Sequence, residues 1–210
     1  TAVSSSSTTA VPYTGASGAV NLGAYDLTVN GMTIGTGKVA GVGTLNTIVG
    51  EYALNRASAN RGTDNTAIGY KAMGNEGSQS YAAGNYNTAV GSWTLSVNSG
   101  QYNSAVGVGA LQQNQGGGYN TAMGNMALNI NLSGSNNTAL GYAADVSANN
   151  LSNATAIGNG AKVAASNTIQ LGNADVTNVK TSGTITAGDV TYPKTHRSTA
   201  GDILTINSSG

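Results

Sequence analysis

A five-residue pattern of polar, small and aliphatic positions recurs along most of the chain. Each copy reads Asn, Thr, Ala, an aliphatic residue and Gly, with small variations. Thr and the aliphatic residues favour β-strands, and Gly and Asn favour the turns between strands. Each copy therefore predicts a short strand that ends at a glycine. The copies occupy residues 46–50, 65–69, 87–91, 103–107, 120–124, 137–141, 154–158 and 167–172.

A second apolar element follows most of these glycines. After two variable positions the chain places Ala and then Leu or Met, as at Ala110 and Leu111, and the last two copies shift the apolar residue to Val146 and Val163. The closing glycines are 19, 22, 16, 17, 17, 17 and 14 residues apart. Units of this length have room for two short strands and two turns, and their regular recurrence indicates a solenoid. The sequence predicts an all-β fold, a parallel β-solenoid.

Stacking such coils in register would place identical residues above one another. Neighbouring strands would lie about 4.8 Å apart along the stack. Side-chain ladders of this kind add hydrogen bonds between coils. We expect two structural ladders, one of Asn46, Asn65, Asn87, Asn103, Asn120 and Asn137, and one of Gly50, Gly69, Gly91, Gly107, Gly124 and Gly141.

The two faces of the repeated strand differ in side-chain size. Successive strand residues point to opposite faces, so Thr and the aliphatic residue share one face and Ala lies on the other. Both sets recur from copy to copy, so we expect both faces to be packed. We expect the Thr and aliphatic face to fill the interior of the coil and the Ala face to contact another copy in a cyclic homo-oligomer. The predicted partner-facing residues are Ala67, Ala89, Ala105, Ala122 and Ala139.

Composition and charge argue against several classes of partner and site. Only 39% of the 210 residues are hydrophobic, Phe and Cys are absent, and 31 are Gly, so a conventional core is hard to build. Eight basic and eight acidic residues give zero net charge, which argues against a nucleic-acid partner. No apolar run is long enough to predict a membrane span. The lack of Cys removes disulfides and the usual structural zinc sites.

The flanking segments differ from the repeats and predict three regions. Residues 1–44 form a Ser/Thr tract and a β connector, residues 45–172 a roll of about eight repeats, and residues 173–210 a second β connector and tail. Residues 18–37 and 173–192 alternate like ordinary strands around Gly and Asn-Gly turns. We expect both to cap the ends of the roll, as solenoids require.

The units at residues 65–73 and 154–161 resemble the head repeats of trimeric autotransporter adhesins. They equally resemble repeats in phage tail fibres and in bacterial fibre proteins that end in an intramolecular chaperone. The resemblance covers about residues 45–172. It implies a left-handed β-roll that assembles as a homotrimer, with the Ala residues facing the other chains of the trimer. It further implies an extracellular attachment function on a virion or a bacterial cell surface.

Two details favour the phage tail fibre over the bacterial surface adhesin. The spacing of 16 to 22 residues between most glycines is longer than in the adhesin heads. Residues 188–193 and 200–205 resemble the stretch that precedes the chaperone domain in the fibre families. We therefore expect the gene to continue past Gly210, and a stop codon directly after it would count against this hypothesis.

Catalytic chemistry finds little support in the sequence. His196 is the single imidazole and lies in a polar tail, and the acidic residues are scattered singly. Residues 35–41 faintly resemble a nucleotide-binding loop but precede no helical pattern. We expect neither an enzyme nor a cofactor or metal site, although an ion on a trimer axis stays open. A carbohydrate-active enzyme on a solenoid is the alternative and would need clustered carboxylates. An ice-binding solenoid would need a more regular outer Thr array.

The aromatic residues are the best candidates for contacts with a receptor. Tyr70, Tyr81 and Trp93 lie at the variable positions or in an insert, where planar side chains would suit stacking on a sugar or contact with a protein. Tyr86, Tyr102 and Tyr119 instead recur directly before the strand, which favours a structural role at the corner of the coil.

Overall fold

The computed structural model describes residues 27–29, 32–35, 45–55, 62–74 and 84–179. By its contacts the chain divides into residues 1–177 and 178–210, and every strand described below lies in the first unit. All regular elements of the described residues are β-strands. They are β1 Leu27–Val29, β2 Met32–Gly35, β3 Thr47–Val49, β4 Thr66–Ile68, β5 Thr88–Val90, β6 Ser104–Val106, β7 Thr121–Met123, β8 Thr138–Leu140, β9 Asp145–Val146, β10 Thr155–Ile157, β11 Lys162–Val163 and β12 Ile169–Leu171.

One ten-stranded sheet carries the repeats. Its order is β1-β2-β3-β4-β5-β6-β7-β8-β10-β12, with antiparallel pairing of β1 to β2 and β2 to β3 and parallel pairing from β3 onward. The register is that of the repeat, since Thr88 pairs with Ser104, Ala89 with Ala105 and Val90 with Val106. The predicted parallel β-solenoid is confirmed. Its left-handedness and three-chain assembly stay predictions.

A turn with positive φ angles follows strands β3 to β8 and β10 and directs the chain away from the sheet, as the turn after β5 illustrates. Gly91 has φ +132°, and a Cβ added there would lie 2.6 Å from the Gly107 carbonyl oxygen. Trp93 and Leu95 follow with φ of 61° and 51°. A left-handed conformation costs a non-glycine residue about 1–2 kcal/mol. Hydrogen bonds between coils offset this cost, because the backbone N–H of Trp93 donates to the Tyr70 carbonyl at 2.9 Å and that of Leu95 to the Ala110 carbonyl at 3.1 Å.

The interior of the coils holds the Ala row, which reverses the predicted orientation of the strand. The strand alanines are fully buried within a single chain, so they do not face a partner. The reason is the thin cross-section, because a row of larger apolar side chains shares the core with them and leaves room for little more than a methyl group. That larger row consists of Leu54, Met73, Leu95, Leu111 and Leu128. The buried alanines are Ala67, Ala89, Ala105, Ala122 and Ala139.

The Thr and aliphatic face of the strands is correspondingly directed outward. The exposed fractions are 36% for Ile68, 39% for Val106, 49% for Met123 and 47% for Leu140. The prediction that this face fills the interior is therefore wrong. The chain alone leaves a row of aliphatic side chains on the surface of the sheet.

The last two coils use a different second element, as the shifted apolar residue indicates. β9 and β11 pair in parallel as a separate two-stranded sheet, with Asp145 opposite Lys162 and Val146 opposite Val163. Both valines are buried. At the other end, β1 and β2 lie within the predicted N-terminal connector. The part of the predicted C-terminal connector beyond residue 179 lies outside the described residues.

Candidate functional site

A ladder of buried Asn side chains runs through the coils. The Asn103 backbone N–H donates to Asn87 Oδ1 at 2.9 Å, Asn103 Oδ1 accepts from the Asn120 backbone N–H at 2.9 Å, and Asn103 Nδ2 donates to the Gly117 carbonyl at 3.0 Å. Each side chain thus satisfies buried backbone groups of neighbouring coils. The role of the ladder is structural. Its members are Asn46, Asn65, Asn87, Asn103, Asn120 and Asn137, all 2% exposed or less.

The structure contains a second, shorter Asn ladder that the sequence did not predict. Asn98, Asn114 and Asn131 are fully buried. Asn114 Nδ2 donates to Asn98 Oδ1 at 2.8 Å, and Asn131 Nδ2 donates to Asn114 Oδ1 at 3.2 Å. The signal was available in the sequence, because each of these residues precedes a glycine by two or three positions. It was hidden in segments that look like variable inserts.

An aromatic cluster with one cation lies on the surface of the first coils. We define the aromatic cluster as Tyr52, Tyr70, Trp93 and Lys71. The ring centroids of Tyr52 and Tyr70, and of Tyr70 and Trp93, are 6.0 Å apart in edge-to-face geometry. Lys71 Nζ lies 4.3 Å from the centroid of the Trp93 ring and 5.2 Å from that of Tyr70. Trp93 and Tyr70 are 38% and 39% exposed, so the cluster can contact another molecule.

The structure brings together two of the three predicted receptor-contact residues. Tyr70 and Trp93 are neighbours in the aromatic cluster, whereas Tyr81 lies outside the described residues. Tyr52 and Lys71 are not among the receptor contacts that the sequence predicted. Both occupy the second position after a closing glycine, the same position as Trp93, which is the signal that would have found them.

Three tyrosines form a second aromatic surface at another corner of the coil. Tyr86, Tyr102 and Tyr119 stack with centroids 4.9 Å apart and interplanar angles of 6° and 10°. This separation matches the spacing between parallel strands, so the register of the coils imposes the stack. Adjacent rings cover one another's faces, which agrees with the predicted structural role.

An open surface pocket of about 260 Å³ adjoins the aromatic cluster at Trp93. It lies where the coil that contains Gly109 stacks between its two neighbours. Its wall combines one indole ring, two carboxamides and aliphatic or thioether groups. The lining residues are Trp93, Val108, Gly109, Gln112, Asn125 and Met126.

Within the described residues, an ion pair between a buried carboxylate and a half-exposed lysine joins two coils near the C-terminal end of the sheet. The Asp145 side chain is 3% exposed and its Oδ2 lies 3.4 Å from Lys162 Nζ. Burial raises the pKa of Asp145, while the Val146 backbone N–H, the charge of Lys162 and the Ile130 backbone N–H oppose the rise. The folded state therefore holds this proton more tightly than the unfolded state. The contribution of Asp145 to stability is lost as the pH rises from the ordinary Asp pKa, about 3.9, through the raised value.

We expect Asp145→Asn to flatten this part of the pH dependence. Thermal unfolding of the wild-type chain and the variant at several pH values between about 4 and 7 measures the change. The melting temperature of the wild type should fall more on raising the pH than that of the variant. Asp175→Asn, at an exposed carboxylate, is the control and should keep the wild-type slope. Equal slopes for the wild type and Asp145→Asn would contradict the assignment.

No protein-family model and no curated protein matches this chain. The resemblance to fibre and adhesin repeats therefore depends on the repeat pattern itself, with which the β-solenoid agrees. Among the described residues, no group of three or more His, Cys, Asp and Glu side chains could hold a metal ion. No helix within the same residues has the length and apolarity to cross a membrane. His196 lies outside them.

Proposed function

We propose that the chain is a structural and adhesive fibre segment that assembles as a homotrimer and serves attachment to a cell-surface receptor or glycan. The observation that carries the proposal is the row of exposed aliphatic side chains on the outer face of the ten-stranded sheet. Contiguous exposed apolar surface of this kind marks an interaction site. The proposal assigns no chemical reaction to the chain.

The regularity of this row favours another copy of the chain as the partner. Each coil contributes one aliphatic residue in register, from Ile68 opposite Val90 to Leu140 opposite Ile157. A second copy presents the same residues at the same spacing and matches the row over its whole length. The strands β3 to β8 and β10 contain no charged residue, so like charges do not oppose the contact. Three such faces around one axis would exclude water from all of them.

The attachment role draws on the surface away from this row. The aromatic cluster is exposed and carries a positive charge at Lys71. Both properties suit a surface that contacts a receptor. The repeat pattern further resembles extracellular fibres, with the phage tail fibre favoured and a bacterial surface adhesin as the alternative. We accordingly propose a location on a virion or a bacterial cell surface.

The mass of the native particle tests the assembly. We expect native mass spectrometry of the wild-type chain to give a trimer, and the double variant Met123→Lys and Leu140→Lys to give a monomer. Both substituted side chains lie on the outer face, so the variant should keep the β-sheet signal in circular dichroism. Asn159→Lys, at an exposed turn position, should stay trimeric. A monomeric wild-type chain would overturn the proposal.

A further inference from the structure

The open pocket beside Trp93 lies where one side chain is missing from a stacked row. The second position after each closing glycine stacks from coil to coil, because its backbone N–H donates to the preceding coil at 2.9 Å for Trp93, Gly109 and Met126 alike. Coils stack about 4.8 Å apart, so the backbones of Trp93 and Met126 are separated by about twice that distance. Gly109 lies between them and contributes no side chain to the intervening layer. The indole and the thioether thus border a slot one side chain thick.

The backbone at this slot has the conformation of the neighbouring coils. The φ angle is 66° at Gly109, 61° at Trp93 and 57° at Met126. The neighbouring coils therefore show that this position accepts a large side chain. A Cβ added to Gly109 would meet no atom closer than 3.6 Å. The glycine is not required by the fold, and its effect is to keep the slot open.

Polar groups with defined positions line the slot. Asn129 Nδ2 donates to the Gly109 carbonyl at 3.0 Å and to Gln112 Oε1 at 3.3 Å, which fixes the carboxamide of Gln112. Within the part of the chain that the structure describes, Gln112 Nε2 and the Asn125 carboxamide make no hydrogen bond to protein. They are available to a ligand. The lining includes no charged side chain.

This combination fits the chemistry of a sugar ring. A pyranose has an apolar C–H face that packs on an aromatic ring and hydroxyl groups that pair with carboxamides. Ligand sites typically combine such apolar walls with a few fixed polar groups. Lys71 belongs to the coil before Trp93, whereas the slot lies toward the coil after it, so the cation and the slot flank the indole from different coils.

We propose that the slot at Gly109 binds one neutral pyranose unit of a cell-surface glycan, with Trp93 as the stacking residue and Gln112 and Asn125 as the hydrogen-bonding residues. Asn129 is a positioning residue that acts through Gln112. The inference rests on the proposed attachment function and specifies its ligand class. The slot measures about 260 Å³ and is open to solvent.

Filling the slot tests the proposal on the full chain. Binding to an array of neutral and acidic oligosaccharides is compared for the wild type, Gly109→Met and Gly160→Met. Gly160 occupies the same position of another coil with φ +64°, so its substitution is a matched control. We expect the wild type and Gly160→Met to bind neutral oligosaccharides and Gly109→Met to lose binding by about tenfold or more. Gln112→Ala should show a similar loss with unchanged circular dichroism.

Several outcomes would overturn the proposal. Wild-type chain that binds no neutral oligosaccharide, or binds only acidic ones, contradicts the ligand class. Undiminished binding by Gly109→Met contradicts the site. Native mass spectrometry of the same variants separates this result from the assembly, because a trimer without glycan binding refutes the slot alone.

Discussion

Gly117→Ala is expected to lower the free energy of unfolding by about 3 kcal/mol or more. A Cβ at this position would lie well inside van der Waals distance of the Gly134 carbonyl oxygen, 2.6 Å from Asn114 Oδ1 and 2.9 Å from Asn120 Nδ2. These atoms belong to the hydrogen-bonded ladders inside the coils, so they cannot move without breaking other bonds. The methyl group that the alanine adds would therefore force neighbouring coils apart.

The adjacent Gly116 provides the control for this substitution. A Cβ at Gly116 would have no atom within 4 Å, so Gly116→Ala should change the unfolding free energy little. Urea unfolding followed by circular dichroism measures both variants. Equal stability of the two variants would show that the coils do not approach each other as closely as the structure describes.

Asn103→Ala is expected to be comparably damaging, at about 3 kcal/mol, for a polar rather than a steric reason. The substitution removes the acceptor for the backbone N–H of Asn120 and one donor to the Gly117 carbonyl. The Gly117 carbonyl keeps its hydrogen bond from Asn114 Nδ2 at 2.7 Å, but the buried N–H of Asn120 is left unpaired, which costs about 1–3 kcal/mol. The space vacated by the side chain adds to the loss.

Asn159→Ala is the matched comparison for the ladder residue. Asn159 is exposed at a turn and should tolerate the change. Hydrogen exchange of the Asn120 amide gives a local readout, because its protection should fall in Asn103→Ala beyond the global loss of stability. Wild-type protection of that amide in the variant would refute the role of the ladder.

Much of the coil architecture was accessible from the sequence because the repeat itself specifies it. Within most copies the Asn and the closing Gly keep the same separation as Asn103 and Gly107, and the parallel sheet pairs the copies residue by residue in the register that this shared pattern requires. The orientation of the strand was not accessible. Alternation shows that Ala105 and Val106 point to opposite faces but not which face is inside. That choice depends on the volume already filled by the Leu111 row and the Asn ladders, which only the folded cross-section reveals.

The candidate binding surface was predictable only in part, for a similar reason. Exposed aromatic residues such as Tyr70 and Trp93 are recognisable one at a time. The contribution of Lys71 and the gap at Gly109 depend on which residues lie above and below in adjacent coils. Because the intervals between copies vary, the residues that lie above and below a given side chain can be identified only once the register of the coils is known.

The identical spacing of Gly107, Gly124 and Gly141 has an evolutionary consequence. Recombination between such similar gene segments can delete or duplicate 17 codons, which corresponds to one complete turn of the molecule. The remaining turns would meet surfaces nearly the same as those they met before. The number of turns can therefore change by whole turns during evolution, while the outward-facing residues of one turn can diversify without disturbing the ladders.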